Sequence, residues 1–418
     1  MDMLKKIEES EEYFGPFYQY VADDEITDID YSNQMVWLTD RRNRRYLCKE
    51  CSCSKEFLEQ FVKRVSNTVS KPFHKQHPIL EAETNTLRIT IVHESVSICG
   101  CTVSIRKSLP ILALTEQDMI EQGYCTKEML VLLKNCVKTK MNLVFCGEPG
   151  VGKTECAKFF SQFISDHERV ITIEDNPEWH YGQINPGKDC VELRLNSILD
   201  YSQAIKTSLR LNPKWMMLSE IRSSEIVKLL EGFSTGVRGM TTLHTDDVRK
   251  LPDRMVNMAG QIRSEGRLEN DIYNFIDAAV LIRKKDVLAE DGRHMSMRYI
   301  DQICFYTRKE KRNEIHMIVE DGQLLTQSLP DEVLHKMRLC NILQPFEEEK
   351  EMLVHMNVKL YEQKQKDTID MFELCETVSE DQQKEKMKEI MSEIGWKMNQ
   401  ALSDRRTYVG QKSLIGGA

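Results

Sequence analysis

The sequence predicts an α/β protein: a mostly parallel sheet in the middle of the chain, an α+β domain before it and a helical extension after it. Three observations carry this reading. Between about residues 116 and 325, short apolar runs alternate with helical patterns, which is how parallel strands covered by helices are written. One such run, Met141 to Cys146, leads into Gly147-Glu148-Pro149-Gly150-Val151-Gly152-Lys153-Thr154, a fit to G-x-x-x-x-G-K-[ST], and a helical pattern follows. From residue 330 the composition shifts to Glu, Lys, Gln and Met, with an apolar stripe at helical spacing.

Residues 1–110 read as the α+β domain. Val36–Leu38 and Tyr46–Leu47 are expected strands flanking the basic turn Asp40 to Arg45. Phe57, Leu58, Phe61, Val62 and Val65 share one face of a helix expected over Phe57–Val69. Leu87–Val92 and Thr102–Ile105 alternate as strands do. The stretch Lys107–Thr115, punctuated by Pro110, reads as a connection, with the linker placed at 111–118.

Residues 119–329 are the expected sheet domain, with strands at Leu143–Cys146, Val170–Ile173, Val191–Leu195, Trp215–Leu218, Met240–Leu243 and Ala278–Ile282. Helices are expected at Thr154–Ser165, Tyr201–Leu211 and Ser224–Phe233, and an antiparallel edge near Met297–Phe305 and Glu314–Val319. Residues 330–418 form the helical extension, where Met387, Ile390, Met391, Ile394, Met398 and Leu402 make one stripe and the last residues are expected to fray.

Composition bounds the function. A chain of 418 residues is long enough for about two or three domains. The net charge of −9 argues against a surface coated by nucleic acid, while leaving local basic patches open. No run reaches the roughly 18 apolar residues of a membrane span, and the first ten residues are too polar for a secretory signal. The expectation is a cytoplasmic protein with no membrane span of its own, able to sit on a membrane through a partner. Of the 13 cysteines, Cys48, Cys51, Cys53, Cys99 and Cys101 cluster in sequence, but C-x-x-C-x-C is not a clean zinc spacing. Free thiols acting as small apolar residues are the expectation, with zinc the alternative.

The glycine motif dictates chemistry. Backbone N–H groups can curl around a phosphate with no Cβ in the way, and the helix start adds partial positive charge. Lys153 can reach the β- and γ-phosphates and the Thr154 hydroxyl can ligate Mg²⁺. Three strand ends carry polar groups: Glu174 and Asp175 after Val170–Ile173, Glu220 after Trp215–Leu218, and His244 after Thr241–Leu243. In an open parallel sheet, C-terminal strand ends line the ligand crevice. A carboxylate there can hold Mg²⁺ or orient water; the plainer alternatives are helix caps and a structural histidine.

These segments together resemble the secretion ATPases of type II and type IV secretion, conjugation and type IV pili. The family's Walker A loop, Asp box, Walker B strand and His box match Gly147–Thr154, Ile173–Glu178, Leu218–Arg222 and Thr235–Thr245 in order, and Leu209-Arg-Leu-Asn-Pro213 matches a segment before Walker B. Ala22–Asp30 is similar to the family's opening segment, and Leu87–Thr90 and Ser104–Arg106 to two arginine-bearing strands. The chain departs at Ser219, where the family usually has glycine, and lacks the two-plus-two cysteine zinc module of the type II secretion members, which favours the type IV secretion, conjugation and Tad-pilus branch.

The resemblance implies a RecA-like core binding ATP and Mg²⁺ between two domains, with Thr154 and Glu220 on the metal. It places Glu174, Glu220, His244, Arg222, Arg88 and Arg106 in the catalytic set, leaves open which glutamate is the base, and has Arg88 and Arg106 reach the γ-phosphate. It further implies a homo-hexameric motor on the cytoplasmic face of an inner-membrane secretion or pilus complex, moving protein or DNA–protein cargo. A nucleic-acid-stimulated helicase or translocase, and an ATP-binding regulatory subunit with little turnover, are the alternatives.

Overall fold

The computed structural model describes residues 7–41, 44–196, 198–223, 225–260, 265–288 and 294–348. The stripe from Met387 to Leu402 lies outside them. Two sheets organise the described chain, one of six strands and one of nine.

The first sheet is antiparallel throughout. Short helices α1 (Glu11–Phe14) and α2 (Tyr18–Ala22) precede β1 (Ile26–Ser32), β2 (Met35–Asp40) and β3 (Arg45–Cys48). Helix α3 (Lys55–Val69) separates these from β4 (Ile79–Glu83), β5 (Leu87–Val92) and β6 (Thr102–Lys107). Inward residues at period two, such as Leu87, Ile89 and Ile91 on β5, pack with Leu58, Phe61 and Val65 of α3. Ser54 caps α3, its hydroxyl accepting from Phe57 N at 3.1 Å. The basic turn is matched by carboxylates: Arg44 pairs with Asp40, Arg45 with Asp30 and Arg41 with Glu25. Among the described residues of this turn, each arginine thus has a carboxylate partner.

The expected linker at 111–118 overlaps α4 (Glu116–Glu121), whose first turn Thr115 caps. Helix α5 (Lys127–Lys138) leads to β7 (Leu143–Cys146), the glycine loop and α6 (Lys153–Ser161). Then follow β8 (Val170–Glu174), α7 (Tyr181–Ile184), β9 (Cys190–Arg194), α8 (Tyr201–Ser208), β10 (Trp215–Leu218), α9 (Glu225–Ser234) and β11 (Arg238–Leu243). Helices α10 (Leu251–Ala259) and α11 (Glu265–Phe275) precede β12 (Ala278–Leu288), β13 (His294–Lys309), β14 (Arg312–Glu320) and β15 (Gln323–Leu324), and α12 (Asp331–Leu339) comes last.

Strands β12, β7, β11, β10, β8 and β9 run parallel, and β13 to β15 add an antiparallel edge. Strands β7, β8 and β10 are buried along their whole length because helices cover both faces. Leu143 and Phe145 of β7 join one core with α5, α6 and α12, while Val144 and Cys146 join the other with α8 to α11. Trp215 and Met217 divide from Met216 and Leu218 in the same way. Gly239 on β11 tolerates no side chain: a Cβ there would stand 2.4 Å from the Phe233 ring and 2.6 Å from the Met216 carbonyl oxygen.

Candidate active site

The glycine loop leaves β7 and enters α6, as the motif requires. Gly147 has φ +144°, and a Cβ there would lie 2.4 Å from the Ile282 carbonyl oxygen. Gly152 caps α6 in the left-handed region, and no side chain bonds the first amides of the helix. Glu148 is exposed while Val151 is buried in the core beneath. Glycines at positive φ at Gly147, Gly150 and Gly152, uncapped helix amides and a lysine at the helix start together fit a phosphate group. Lys153 Nζ donates to Gly147 O (3.2 Å) and Glu148 O (3.0 Å) and contacts His244 Nδ1 at 3.0 Å. Burial lowers the Lys153 pKa, and Glu220 opposes the shift.

The strand order lays out the rest. From β7 the sheet runs to β11, then β10, then β8. Contacts follow the same path along the C-terminal ends. His244, after β11, meets Lys153 with Nδ1 and Glu220 Oε1 with Nε2 at 3.0 Å. Nδ1 also lies 3.0 Å from Gly147 O, so the ring bridges the glycine loop and the carboxylate. Glu220, after β10, also pairs with Arg222 (2.8 Å), and Arg222 pairs with Asp175 after β8 (2.9 Å). Ser219 is buried, and its hydroxyl lies 3.4 Å from Asp175 Oδ1 and 3.5 Å from the Tyr201 hydroxyl.

Glu174 is placed differently from the sequence expectation. It is 4% exposed, and its Oε1 accepts from the backbone amides of Glu178 and Trp179, both at 3.0 Å. Burial pushes its pKa up to about 8 against those two hydrogen bonds. Its oxygen is committed to the turn that follows β8. The carboxylate that this turn delivers to the glycine loop is Glu178, whose Oε2 accepts from the Thr154 hydroxyl at 2.9 Å. Glu178 closes the Asp-box segment Ile173–Glu178 four residues beyond the end of β8, so the strand-end argument passes over it. Arg298 on β13 was also missed, and its guanidinium donates to Gly150 O at 3.4 Å.

The turn carrying Glu178 is gripped from the first sheet. Asn176 fits with its side-chain nitrogen donating to Glu83 Oε1 (2.6 Å) and its oxygen accepting from Arg88 Nη1 (3.3 Å). Glu83 pairs with Arg194 as well. Ser108, just past β6, donates to Pro177 O at 2.8 Å, and His180 Nε2 lies 2.9 Å from Ser108 O. His180 is buried with φ +45°, and burial, then the Lys158 charge, lowers its pKa. Of the two expected arginines, Arg88 thus reaches the Asp box. Arg106 faces Arg88 across β5–β6 but turns to Asp28 at 3.4 Å.

Comparison with known proteins places this geometry. Residues 80–392 match the family model described as Type II/IV secretion system protein. An uncharacterized protein of Bacillus anthracis is 27% identical over 290 residues, covering 68% of this chain and 65% of that one. The type IV secretion system protein VirB11 of Bartonella quintana is 28% identical over 203 residues, covering 47% of this chain and 55% of that one. The chain therefore spans under two thirds of the length of these relatives. The X-ray structure of the Yersinia pseudotuberculosis ATPase DotB shares the fold at a TM-score of 0.52 and 14% identity, covering 82% of this chain and 85% of that one. With its RecA-like core and a family match over most of its length, the chain belongs to the type II/IV secretion ATPase family.

Proposed function

We propose that the chain hydrolyses ATP at the Gly147–Thr154 loop and works as a ring-forming, hexameric motor of a type IV secretion, conjugation or related pilus machine. The observation that carries the catalytic part is the unbroken contact line from Lys153 through His244, Glu220 and Arg222 to Asp175 along the strand ends. Such a line holds charged groups in fixed places where phosphate charge would develop, which is how electrostatic catalysis works. Mg²⁺, when bound, would neutralise phosphate charge, with Thr154 and Glu220 as its expected holders and Glu178 already on the Thr154 hydroxyl. Glu178 and Glu220 are the carboxylates placed to orient water; Glu174 is spent on the backbone. Lys153 supplies a mobile cation that can leave two loop carbonyls for a phosphate oxygen.

The motor part rests on the grip of the first sheet on the Asp-box turn. Arg88 and Glu83 hold Asn176, and Ser108 holds Pro177 and His180, so the grip lies on either side of Glu178. A shift of that sheet carries Glu178 toward or away from Thr154, which couples domain position to turnover. Among the described residues no helix is long and apolar enough to cross a membrane, so work at the cytoplasmic face of an inner-membrane complex would depend on partners; protein or DNA–protein is the proposed cargo. Phosphate release with ATP and Mg²⁺ tests the reading, alongside sedimentation for the hexamer. Lys153→Ala should abolish turnover while the circular dichroism spectrum is kept. Turnover in the mutant near the wild-type rate would remove this loop as the active site.

A further inference from the structure

The N-terminal sheet borders a cavity of about 1040 Å³, away from the strand ends described above. Five cysteines line it. Cys48 ends β3, Cys51 and Cys53 lie between β3 and α3, and Cys99 and Cys101 lie in the turn before β6. All five are free thiols. Among the described residues no three His, Cys, Asp or Glu side chains converge as a metal ion requires. What does converge is a pair: Cys51 Sγ and Cys53 Sγ are 4.0 Å apart in a thiol–thiol hydrogen bond. Cys51 Sγ also lies 3.6 Å from Pro16 O, and Cys48 Sγ lies 2.9 Å from the Tyr20 hydroxyl.

We propose that Cys51 and Cys53 form a dithiol–disulfide exchange site, open through this cavity to small-molecule disulfides. The surroundings differentiate the two thiols. Cys53 immediately precedes Ser54, the cap of the 15-residue α3, so the pair sits at the positive end of a long helix. Lys49, Lys55 and Lys63 line the cavity, against Glu59 and Glu94. The contact between the two sulfurs lowers the Cys51 pKa below the ordinary thiol value, while the same contact and burial push Cys53 up. Cys51 is the nucleophile and Cys53 the resolving thiol.

The steps balance. The Cys51 thiolate attacks one sulfur of a small disulfide RS–SR; that S–S bond breaks, RS⁻ leaves and takes a proton, and Cys51–S–SR remains. Cys53 gives its proton to solvent and attacks the Cys51 sulfur; a second RS⁻ leaves and is protonated. Two protein thiols are oxidised to one disulfide and one RS–SR is reduced to two RSH. Closing the bond brings the sulfurs from 4.0 Å to about 2.05 Å across a single intervening residue, Ser52.

Trypsin cleavage after Lys49 and Lys55 isolates Glu50-Cys-Ser-Cys-Ser-Lys55, which holds these two cysteines and no other. The full-length protein is exposed to glutathione disulfide, quenched with iodoacetamide and mapped by mass spectrometry. The expected hexapeptide is lighter by two hydrogens and carries no alkyl group. In Cys53→Ser the mixed disulfide should accumulate on Cys51 at least about tenfold faster than on exposed Cys99. A wild-type hexapeptide alkylated at both sulfurs after the same exposure overturns the proposal, whatever the variant does. So does an adduct in Cys53→Ser that forms on Cys51 no faster than on Cys99. Neither result depends on ATP turnover.

Discussion

Glu174→Gln should flatten the pH dependence of stability near neutrality. In the folded chain the Glu174 carboxyl is buried under the Asp-box turn, and its pKa is pushed up to about 8 from 4.5. The folded state therefore binds this proton more tightly than the unfolded chain. The stabilisation is whole below pH 4.5 and is lost as pH rises through about 8. Integrating between those values at about 1.4 kcal/mol per unit gives a loss of about 3–4 kcal/mol from pH 5 to pH 8. Glutamine keeps a carbonyl oxygen for the amides of Glu178 and Trp179 and has no proton to lose. The mutant should thus gain on the wild type by that amount across the window. Urea denaturation of both proteins at pH 5, 6, 7 and 8 reads it. His180, whose lowered pKa costs stability as pH falls, is present in both and cancels in the difference. A difference that stays level from pH 5 to pH 8 would refute the burial argument for Glu174.

Three further outcomes follow from the same geometry. Glu178→Gln should lower phosphate release by about 10²–10³-fold while Glu174→Gln retains most of it at neutral pH, because only Glu178 touches Thr154; the reverse ranking would return Glu174 to the catalytic set. Arg88→Ala should slow turnover more than Arg106→Ala, since Arg88 contacts Asn176 and Arg106 contacts Asp28; equal kcat values for the two variants would break that distinction. Gly239→Ala should destabilise by about 1–3 kcal/mol or more, as its methyl meets backbone at Met216; a melting temperature unchanged from wild type would show that β11 has room to move.

Where apolar pattern and burial coincide, the sequence was easy to read. Leu143–Cys146 and Trp215–Leu218 are continuous apolar runs because both faces are covered, and their ends match the structure. Strand β1 was not identified: a register shift between Ile26 and Asp28 breaks the alternation that would have revealed it. Strand β4 was missed because Ile79 points to solvent at 60% exposure while Leu80 and Ala82 face inward. Helix α5 shows no clean stripe, as Met129 through Leu133 are all buried. The site was half legible for a geometric reason. Strand-end reasoning treats every parallel strand as a neighbour of the phosphate loop, yet β8 lies three positions from β7. Three strand spacings are about 14 Å, beyond the reach of a glutamate at the strand terminus. The chain spans the gap with four more residues, so Glu178 arrives where Glu174 cannot.

The buried Glu174 carboxyl also makes the turn above it observable. Its Oε1 holds two peptide hydrogens, those of Glu178 and Trp179, in a place where Trp179 is fully buried. Solvent deuterium can replace them only when the turn lifts away from the β8 end. Their exchange rates are therefore a clock for that lifting, readable in a molecule that is otherwise at rest. Because Ser108 and Arg88 grip the same turn from the first sheet, loosening either one should make the clock run faster at these two amides before any change reaches the strands beneath.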